Sequence, residues 1–281
     1  MAGKTKIEWT AKDGRPGRTW NPVAGCALAS AGCSNCYAMR QAHRIQLMQA
    51  GQGKTSHYEG TTKVVNGNPV WTGKATVAPD SVFLAPLRWK KPTTIFVNSM
   101  SDLFYERFSD EVIDRVFAVA ALCPQHVLQI LTKRSGRMFA YMSDKDRHKK
   151  VADAVPFGLP VPFFKWPLPN CWMGVSAEDQ RRYDERKYHL RATPAAVRFF
   201  SFEPLLGPIE ADYLADWAIV GAESGPGARP MQQEWVKSIK DQCVDTGVPF
   251  FLKQRLGEDG RKISMPFLDG QVWDQMPGTR P

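Results

Sequence analysis

The chain has 281 residues, and its hydrophobic fraction of 43% is enough for one α/β domain with a sizeable core. Its 37 Lys and Arg residues exceed its 28 Asp and Glu residues, and the net charge of +9 favours a polyanionic partner such as nucleic acid. No apolar run approaches the roughly 18 residues of a membrane span, and Met1 to Trp9 lack the apolar core of a signal peptide. These observations exclude a membrane-spanning protein and predict a cytoplasmic one.

Three cysteines, Cys26, Cys33 and Cys36, lie close together near the start of the chain, and no fourth cysteine is nearby. A structural zinc site takes four protein ligands, whereas three thiolates suit an iron-sulfur cluster that leaves one iron open for a substrate or cofactor. A fourth ligand from elsewhere in the chain, His43 or Cys171, would instead complete a zinc site. Both interpretations stay open at this point.

The cysteine loop leads into a predicted helix over residues 37–48, and a glycine-rich insertion follows at about residues 50–80. Within the insertion, Asn66-Gly67 between two β-prone runs predicts a hairpin turn. The remaining cysteines, Cys123, Cys171 and Cys243, stand singly on apolar segments. They predict free core thiols in a reducing compartment rather than a disulfide framework.

After residue 80, short β-branched and aromatic runs alternate with amphipathic stretches. The predicted strands cover residues 94–99, 127–132, 171–176, 197–203, 217–223 and 249–254. Helices are predicted over residues 110–122 and 232–243, the second ending before Gly247. Because the strands are apolar throughout, they suit a parallel sheet covered on both faces. The pattern predicts an α/β fold: a single (β/α) TIM-type barrel domain over residues 1–281, full or partial with six to eight strands, with the cysteine loop after the first strand.

Two stretches do not follow this repeat. Five prolines between residues 155 and 170 exclude an ordinary helix and predict an extended connection. The tail after Leu256 opens with Gly257-Glu-Asp-Gly and has no sustained apolar period, so we expect it to be irregular.

The ends of the predicted strands are polar, and active sites of (β/α) barrels are built at the C-terminal ends of the strands. A single polar strand end has a simpler explanation, since every strand must end in something polar. As a set, these residues predict a pocket for a zwitterionic cofactor and a substrate. The predicted cofactor-binding residues are Tyr37, Asn98, Ser99, Asp102, Thr132, Lys133, Ser176, Glu178, Glu203, Glu223, Ser224, Arg229 and Lys253.

Two of these positions carry specific alternatives. The glycine-rich turn over residues 221–230 allows backbone amides to approach an anion and Arg229 to pair with a carboxylate, or it is a tight loop with Arg229 on the surface. Glu203 ends an apolar run, where burial raises a carboxyl pKa unless Lys133 or Lys253 is adjacent, and a structural ion pair is the alternative.

The three-cysteine loop ahead of a (β/α) barrel resembles the radical S-adenosylmethionine superfamily. The usual cysteine spacing there is three residues and then two, whereas this chain has six and then two. More closely, seven segments resemble an uncharacterised, phage-associated protein family that is grouped with those barrels, over roughly residues 5–255. The segments are residues 20–26, 32–38, 96–104, 131–134, 174–180, 202–208 and 221–230.

This resemblance implies that the three cysteines hold a 4Fe-4S cluster whose open iron binds the amino and carboxylate groups of S-adenosylmethionine. An electron from the cluster, supplied to it by an unknown reductant, would cleave the sulfonium bond, giving methionine and a 5′-deoxyadenosyl radical that abstracts hydrogen from a substrate. The implied partners of its ribose or amino group are Ser176, Glu178 and Glu203, and those of its carboxylate are Lys133 and Arg229.

Two functions follow from the sequence. The first is a radical S-adenosylmethionine-like enzyme acting on a nucleic acid or nucleotide, which the net charge and the basic residues between Arg181 and Lys187 favour. The second is a non-enzymatic protein that binds nucleic acid or another partner and holds structural zinc through the three cysteines and a fourth ligand.

Overall fold

The computed structural model of the protein describes residues 2–11 and 17–278. Its strands are β1 (Ala2–Lys4), β2 (Arg18–Trp20), β3 (Val23–Ala24), β4 (Thr62–Val65), β5 (Asn68–Trp71), β6 (Thr76–Val77), β7 (Thr94–Val97), β8 (Val127–Thr132), β9 (Cys171–Ser176), β10 (Val197–Phe202), β11 (Ala218–Gly221), β12 (Phe250–Leu256), β13 (Lys262–Ser264), β14 (Phe267–Leu268) and β15 (Gln271–Val272). Its α-helices are α1 (Tyr37–Ala50), α2 (Asp80–Phe83), α3 (Asp110–Ala121), α4 (Ser135–Met142), α5 (Arg147–Asp153), α6 (Gln180–Ala192) and α7 (Gln233–Thr246). Short 3-10 helices span Glu8–Thr10, Ala31–Cys33 and Ala85–Arg88.

A nine-stranded sheet in the order β1-β2-β7-β8-β9-β10-β11-β12-β13 organises the fold. The strands from β2 to β12 in this order are parallel, and β1 and β13 are antiparallel edge strands. All six predicted strands belong to this sheet, which confirms the mixed α/β class. The described residues show no pairing between β1 and β13, so the closed form of the predicted barrel is not observed.

The two faces of the sheet carry different cores because side chains alternate along each strand. On the outer face, side chains such as Ile95 and Ile130 join the main core cluster together with Val116 and Phe117 of α3. On the inner face, a second cluster consists mainly of large aromatic side chains. Its buried members are Trp9, Phe96, Trp172, Phe199, Trp217, Ile219, Phe251 and Met276.

The sheet curls around Trp9. Four strand spacings separate β7 from β11, which is about 19 Å across a flat sheet. The ring centroid of Trp9 nevertheless lies 4.6 Å from that of Phe96 on β7 and 6.2 Å from that of Trp217, next to β11. One side chain can reach both only if the strands bend toward each other. An ion pair of 2.8 Å between Glu8 and Lys262 of β13 also connects the N-terminal segment to the far edge strand.

Several local predictions are confirmed. Asn66 and Gly67 form the β4–β5 turn with φ values of 47° and 76°, a conformation that asparagine and glycine accept. Gly247 ends α7 with a left-handed φ of 68°. Residues 155–170 form no helix or strand. Cys123, Cys171 and Cys243 are free and buried.

The prediction of an irregular C-terminal tail is wrong. Strand β13 pairs with β12 across the turn at Gly257, and β14 pairs with β15. The tail also contributes the buried side chains of Leu268 and Met276 to the two core clusters. These strands have two or three residues each, too few to produce a detectable hydrophobic period. Among the described residues, no helix is long and apolar enough to cross a membrane.

Candidate functional site

A cavity of about 420 Å³ lies where the parallel strands end. Its lining includes most of the predicted cofactor-binding residues, namely Tyr37, Asn98, Ser99, Asp102, Thr132, Lys133, Ser176, Glu203, Glu223, Ser224 and Lys253. Cys26, Cys33 and Cys36 line the same cavity. The predictions from strand ends and from the cysteine loop therefore converge on one place, as the parallel arrangement of the strands requires.

The three cysteines are free thiols held by a short, ordered loop. Cys33 ends a 3-10 helix, and Cys36 is the residue that precedes α1. Burial, followed by the negative charge of Asp102, raises the pKa of the Cys26 thiol to about 12. As the side chains stand, the described residues contain no group of three or more His, Cys, Asp or Glu side chains arranged to hold a metal ion. The sulfurs thus share one cavity without forming a closed ligand set.

The first of three carboxylate–arginine pairs anchors the loop next to Cys26. Asp102, which follows β7, accepts hydrogen bonds from the Thr132 hydroxyl (2.6 Å), the Lys133 amide (3.0 Å) and the Arg134 guanidinium (3.0 Å). Arg134 in turn donates to the carbonyl oxygen of Ala27 at 2.9 Å. Asp102 therefore fixes the ends of two strands and, through Arg134, the residue after Cys26.

The second pair is buried and holds the middle of the loop. Glu178 accepts a hydrogen bond of 3.0 Å from Arg186 and one of 3.2 Å from the Gly32 amide. The side chains of Glu178 and Arg186 are 0% and 5% exposed. Burial raises the pKa of Glu178, but the charge of Arg186 and the hydrogen bonds outweigh burial and lower it. Glu178 does not line the cavity and acts on the loop instead.

The third pair holds the loop from the side of β11. Arg229 donates to both carboxylate oxygens of Glu223 and, at 2.9 Å, to the carbonyl oxygen of Ala31. Asn35 donates to Glu223 at 3.0 Å. Burial raises the pKa of Glu223, but the hydrogen bonds from Arg229 and Asn35 outweigh it, so the pKa is lowered. Arg229 lies outside the cavity lining, and its carboxylate partner is Glu223 of the protein itself.

Asn98 and Ser201 are buried polar side chains of the cavity without a hydrogen-bond partner among the described residues, and the indole Nε1 of Trp9 is a third such group. Neither the amide nitrogen nor the amide oxygen of Asn98 is paired, and the same holds for the Ser201 hydroxyl. Both residues are 2% exposed or less. Asn98 also has a left-handed backbone, with a φ of 58°. Buried unpaired polar groups are costly, and strained residues cluster at ligand sites, so the side chains of Asn98 and Ser201 are the candidate ligand contacts of the cavity.

Some charged side chains of the cavity are paired with another residue, and others are not. Glu203 accepts a hydrogen bond of 2.5 Å from Lys253 and one of 3.3 Å from Gln254 through the same oxygen, Oε1. Lys253 is therefore the cation adjacent to Glu203. The ammonium group of Lys133 forms no ion pair within the described ranges. Lys133 is therefore a cavity cation that remains available for a carboxylate, as is the exposed Lys6.

Neither residue considered as a fourth zinc ligand reaches the cavity. The Nδ1 atom of His43 shares a hydrogen bond of 3.2 Å with the hydroxyl of Thr62, on the hairpin that packs against α1. Cys171 begins β9 and is buried in the core between the sheet and the helices. In the part of the chain that the structure describes, no histidine and no fourth cysteine lines the cavity.

Two features of the site were not predicted from the sequence. One is the set of arginines that hold the cysteine loop, and the other is the N-terminal segment of the chain that closes the cavity. Arg134 follows shortly after a predicted strand and Arg186 lies in the basic run between Arg181 and Lys187, but neither was predicted to hold the cysteine loop. The segment Thr5–Trp9 also lines the cavity. The sequence gives no periodic signal for that placement, because it depends on how the sheet curls.

The fold and the cavity define an α/β protein with a polar, cysteine-lined site at the ends of parallel strands. A family model described as "Protein of unknown function (DUF5131)" matches residues 4–277, and the chain belongs to that family. Comparisons with curated proteins and with solved structures gave no match.

Proposed function

We propose that the protein is a radical S-adenosylmethionine-like enzyme, built on a partial (β/α) barrel and acting in the cytoplasm. The observation that carries this proposal is the set of three free cysteines on the wall of a cavity at the strand ends. The described lining supplies no fourth thiol or imidazole. A metal centre there would take its remaining ligand from a bound molecule, as an open cluster iron does.

The donor set fits a 4Fe-4S cluster held by Cys26, Cys33 and Cys36. All three are soft sulfur donors, and a bound metal would deprotonate the thiols of Cys26 and Cys36, whose pKa values burial raises. The loop between them is fixed at Ala27, Ala31 and Gly32 by arginine or glutamate side chains. Anchoring of this kind positions the metal-binding side chains and limits the ordering needed when metal binds.

A cluster and S-adenosylmethionine, when bound, would supply one-electron reductive cleavage of the sulfonium and hydrogen abstraction from the substrate. The residues of the chain have simpler roles. Lys133 would bind a carboxylate, and the Oε2 oxygen of Glu203, which has no partner among the described residues, would accept from an ammonium or hydroxyl group. Asn98 and Ser201 offer unpaired hydrogen-bonding groups to the bound molecules. Trp9 and Phe96 form an apolar floor that keeps water from the base of the cavity.

Metal content tests this proposal. The protein, purified without oxygen and reconstituted with iron and sulfide, should hold about four irons per chain. Cys33→Ser should lose most of this iron because one of three thiolates is missing. Cys243→Ser is the matched control, since Cys243 is a free thiol buried in α7 away from the cavity. Its iron content should equal that of the unaltered protein.

Two results would contradict the proposal. One zinc and no iron in the anaerobic protein would favour a structural metal site instead. Equal iron in Cys33→Ser and Cys243→Ser would show that the cavity cysteines are not the ligands.

A further inference from the structure

The segment between Asn21 and Pro79 has one acidic residue, Glu59. It carries five cations on α1 and the insertion, which are Arg40, Arg44, Lys54, Lys63 and Lys74. None of the five forms an ion pair within the described residues; Arg40, Lys54 and Lys74 donate to uncharged oxygens instead. We call these five residues the basic surface. By contrast, the run from Arg181 to Lys187 is neutralised by Glu185, Glu178, Asp184 and Asp212.

The basic surface adjoins the cysteine loop and the mouth of the cavity. Helix α1 begins directly after Cys36, and its buried face packs with Tyr58 and Met100 against Cys36 and Trp71. Trp71, at the end of β5, lines the cavity. Arg40 donates to the carbonyl oxygen of Pro226, two residues after the cavity residue Ser224. A molecule held on this surface would therefore lie next to the cavity.

The outward side of the basic surface also exposes apolar groups. Leu47 and Met48, on the turns of α1 that follow Arg44, are 58% and 49% exposed. On the hairpin, Val64 is 55% exposed beside Lys63. Unpaired cations interleaved with apolar side chains suit nucleic acid, because cations contact phosphates and apolar groups contact bases. None of these exposed groups is an aromatic anchor of the kind that surfaces binding lipid headgroups use.

We propose that the basic surface binds a nucleic acid strand and delivers one of its nucleotides to the cavity. This inference deepens the proposed function and rests on it for the claim that the bound strand is the substrate. A cavity of about 420 Å³ admits a single base but no duplex, so the strand must be single or locally opened. The unpaired Ser201 hydroxyl can hydrogen-bond to a base edge.

Binding of a fluorescein-labelled, mixed-sequence single-stranded oligonucleotide to the metal-free protein tests the inference. The double variant Arg44→Gln/Lys63→Gln removes two exposed cations that make no hydrogen bond within the described residues. Losing two phosphate contacts reduces the magnitude of the slope of log association constant against log salt concentration by about 1.4. The variant should therefore bind the oligonucleotide roughly 25-fold more weakly at about 0.1 M salt. The matched control, Lys145→Gln/Lys149→Gln, removes two exposed lysines on and before α5, outside the cavity lining. It should change binding less than about threefold.

A third variant, Arg44→Lys/Lys63→Arg, keeps the charge and should bind like the unaltered protein, so a folding defect cannot mimic the expected loss. Equal weakening in the two Gln double variants would overturn the inference, as would binding to phosphatidylcholine–phosphatidylserine vesicles but not to the oligonucleotide. Because binding is measured without metal, its failure leaves the proposed chemistry untouched. Strand binding without cleavage of S-adenosylmethionine would instead overturn the proposed function alone.

Discussion

The buried pair of Glu178 and Arg186 gives the sharpest prediction of how the cysteine loop is held. Glu178→Gln keeps the shape of the side chain and an acceptor for the Gly32 amide, but leaves Arg186 without its counter-charge. Because the two side chains are 0% and 5% exposed, solvent cannot compensate. Breaking a buried pair by removing one partner costs about 3–5 kcal/mol, and we expect that loss in the free energy of unfolding.

Urea unfolding followed by tryptophan fluorescence measures this loss, and two further variants make the result specific. Glu178→Gln/Arg186→Met removes both charges and should recover most of the stability, because a buried pair replaced by neutral groups is often neutral in energy. Glu185→Gln breaks ion pairs at an exposed position of the same helix and should cost less than about 1 kcal/mol. A cost below about 1 kcal/mol for Glu178→Gln, or additive losses in the double variant, would refute the reasoning.

Three further predictions concern the floor, the cavity and acid stability. Trp9→Ala should lower the free energy of unfolding, measured by urea titration, by about 3–5 kcal/mol, because Trp9 fills the curled inner face of the sheet. A decrease below about 1 kcal/mol would show that the sheet is flatter. Asn98→Gly should keep the stability within about 1 kcal/mol, because glycine accepts its left-handed φ, yet weaken S-adenosylmethionine binding about tenfold in equilibrium dialysis; unchanged affinity would place the ligand elsewhere. The pKa of Glu178 is lowered on folding, so its stabilising contribution is present above its ordinary value of 4.5 and is lost as the pH falls through the folded pKa. Thermal unfolding from neutral pH to about pH 3 should therefore show a steeper loss for the unaltered protein than for Glu178→Gln/Arg186→Met; equal slopes would contradict this.

The central strands were predictable because burial on both faces leaves long apolar runs. Strands β8 and β9 have the predicted bounds at both ends. Their polar ends also located the cavity, because parallel strands all end on the same side of the sheet. Short strands such as β13 and β15 were not predictable, since their pairing partners rather than their own sequence fix them.

The roles of individual charges depended on tertiary contacts that a single sequence does not encode locally. Glu178 and Arg229 were predicted to face the cofactor, and the structure places each against the cysteine loop instead. The basic run between Arg181 and Lys187 suggested nucleic acid, yet its charges are paired within the protein. Only the folded chain shows which charges remain available, and Lys133 is one of them.

Formation of 5′-deoxyadenosine tests the central claim most directly. The reconstituted protein, reduced in the absence of oxygen and given S-adenosylmethionine, should release 5′-deoxyadenosine and methionine, whereas Cys33→Ser should release neither above background. If the protein holds a full complement of iron and sulfide and still leaves S-adenosylmethionine intact under reducing conditions, the proposed function is wrong.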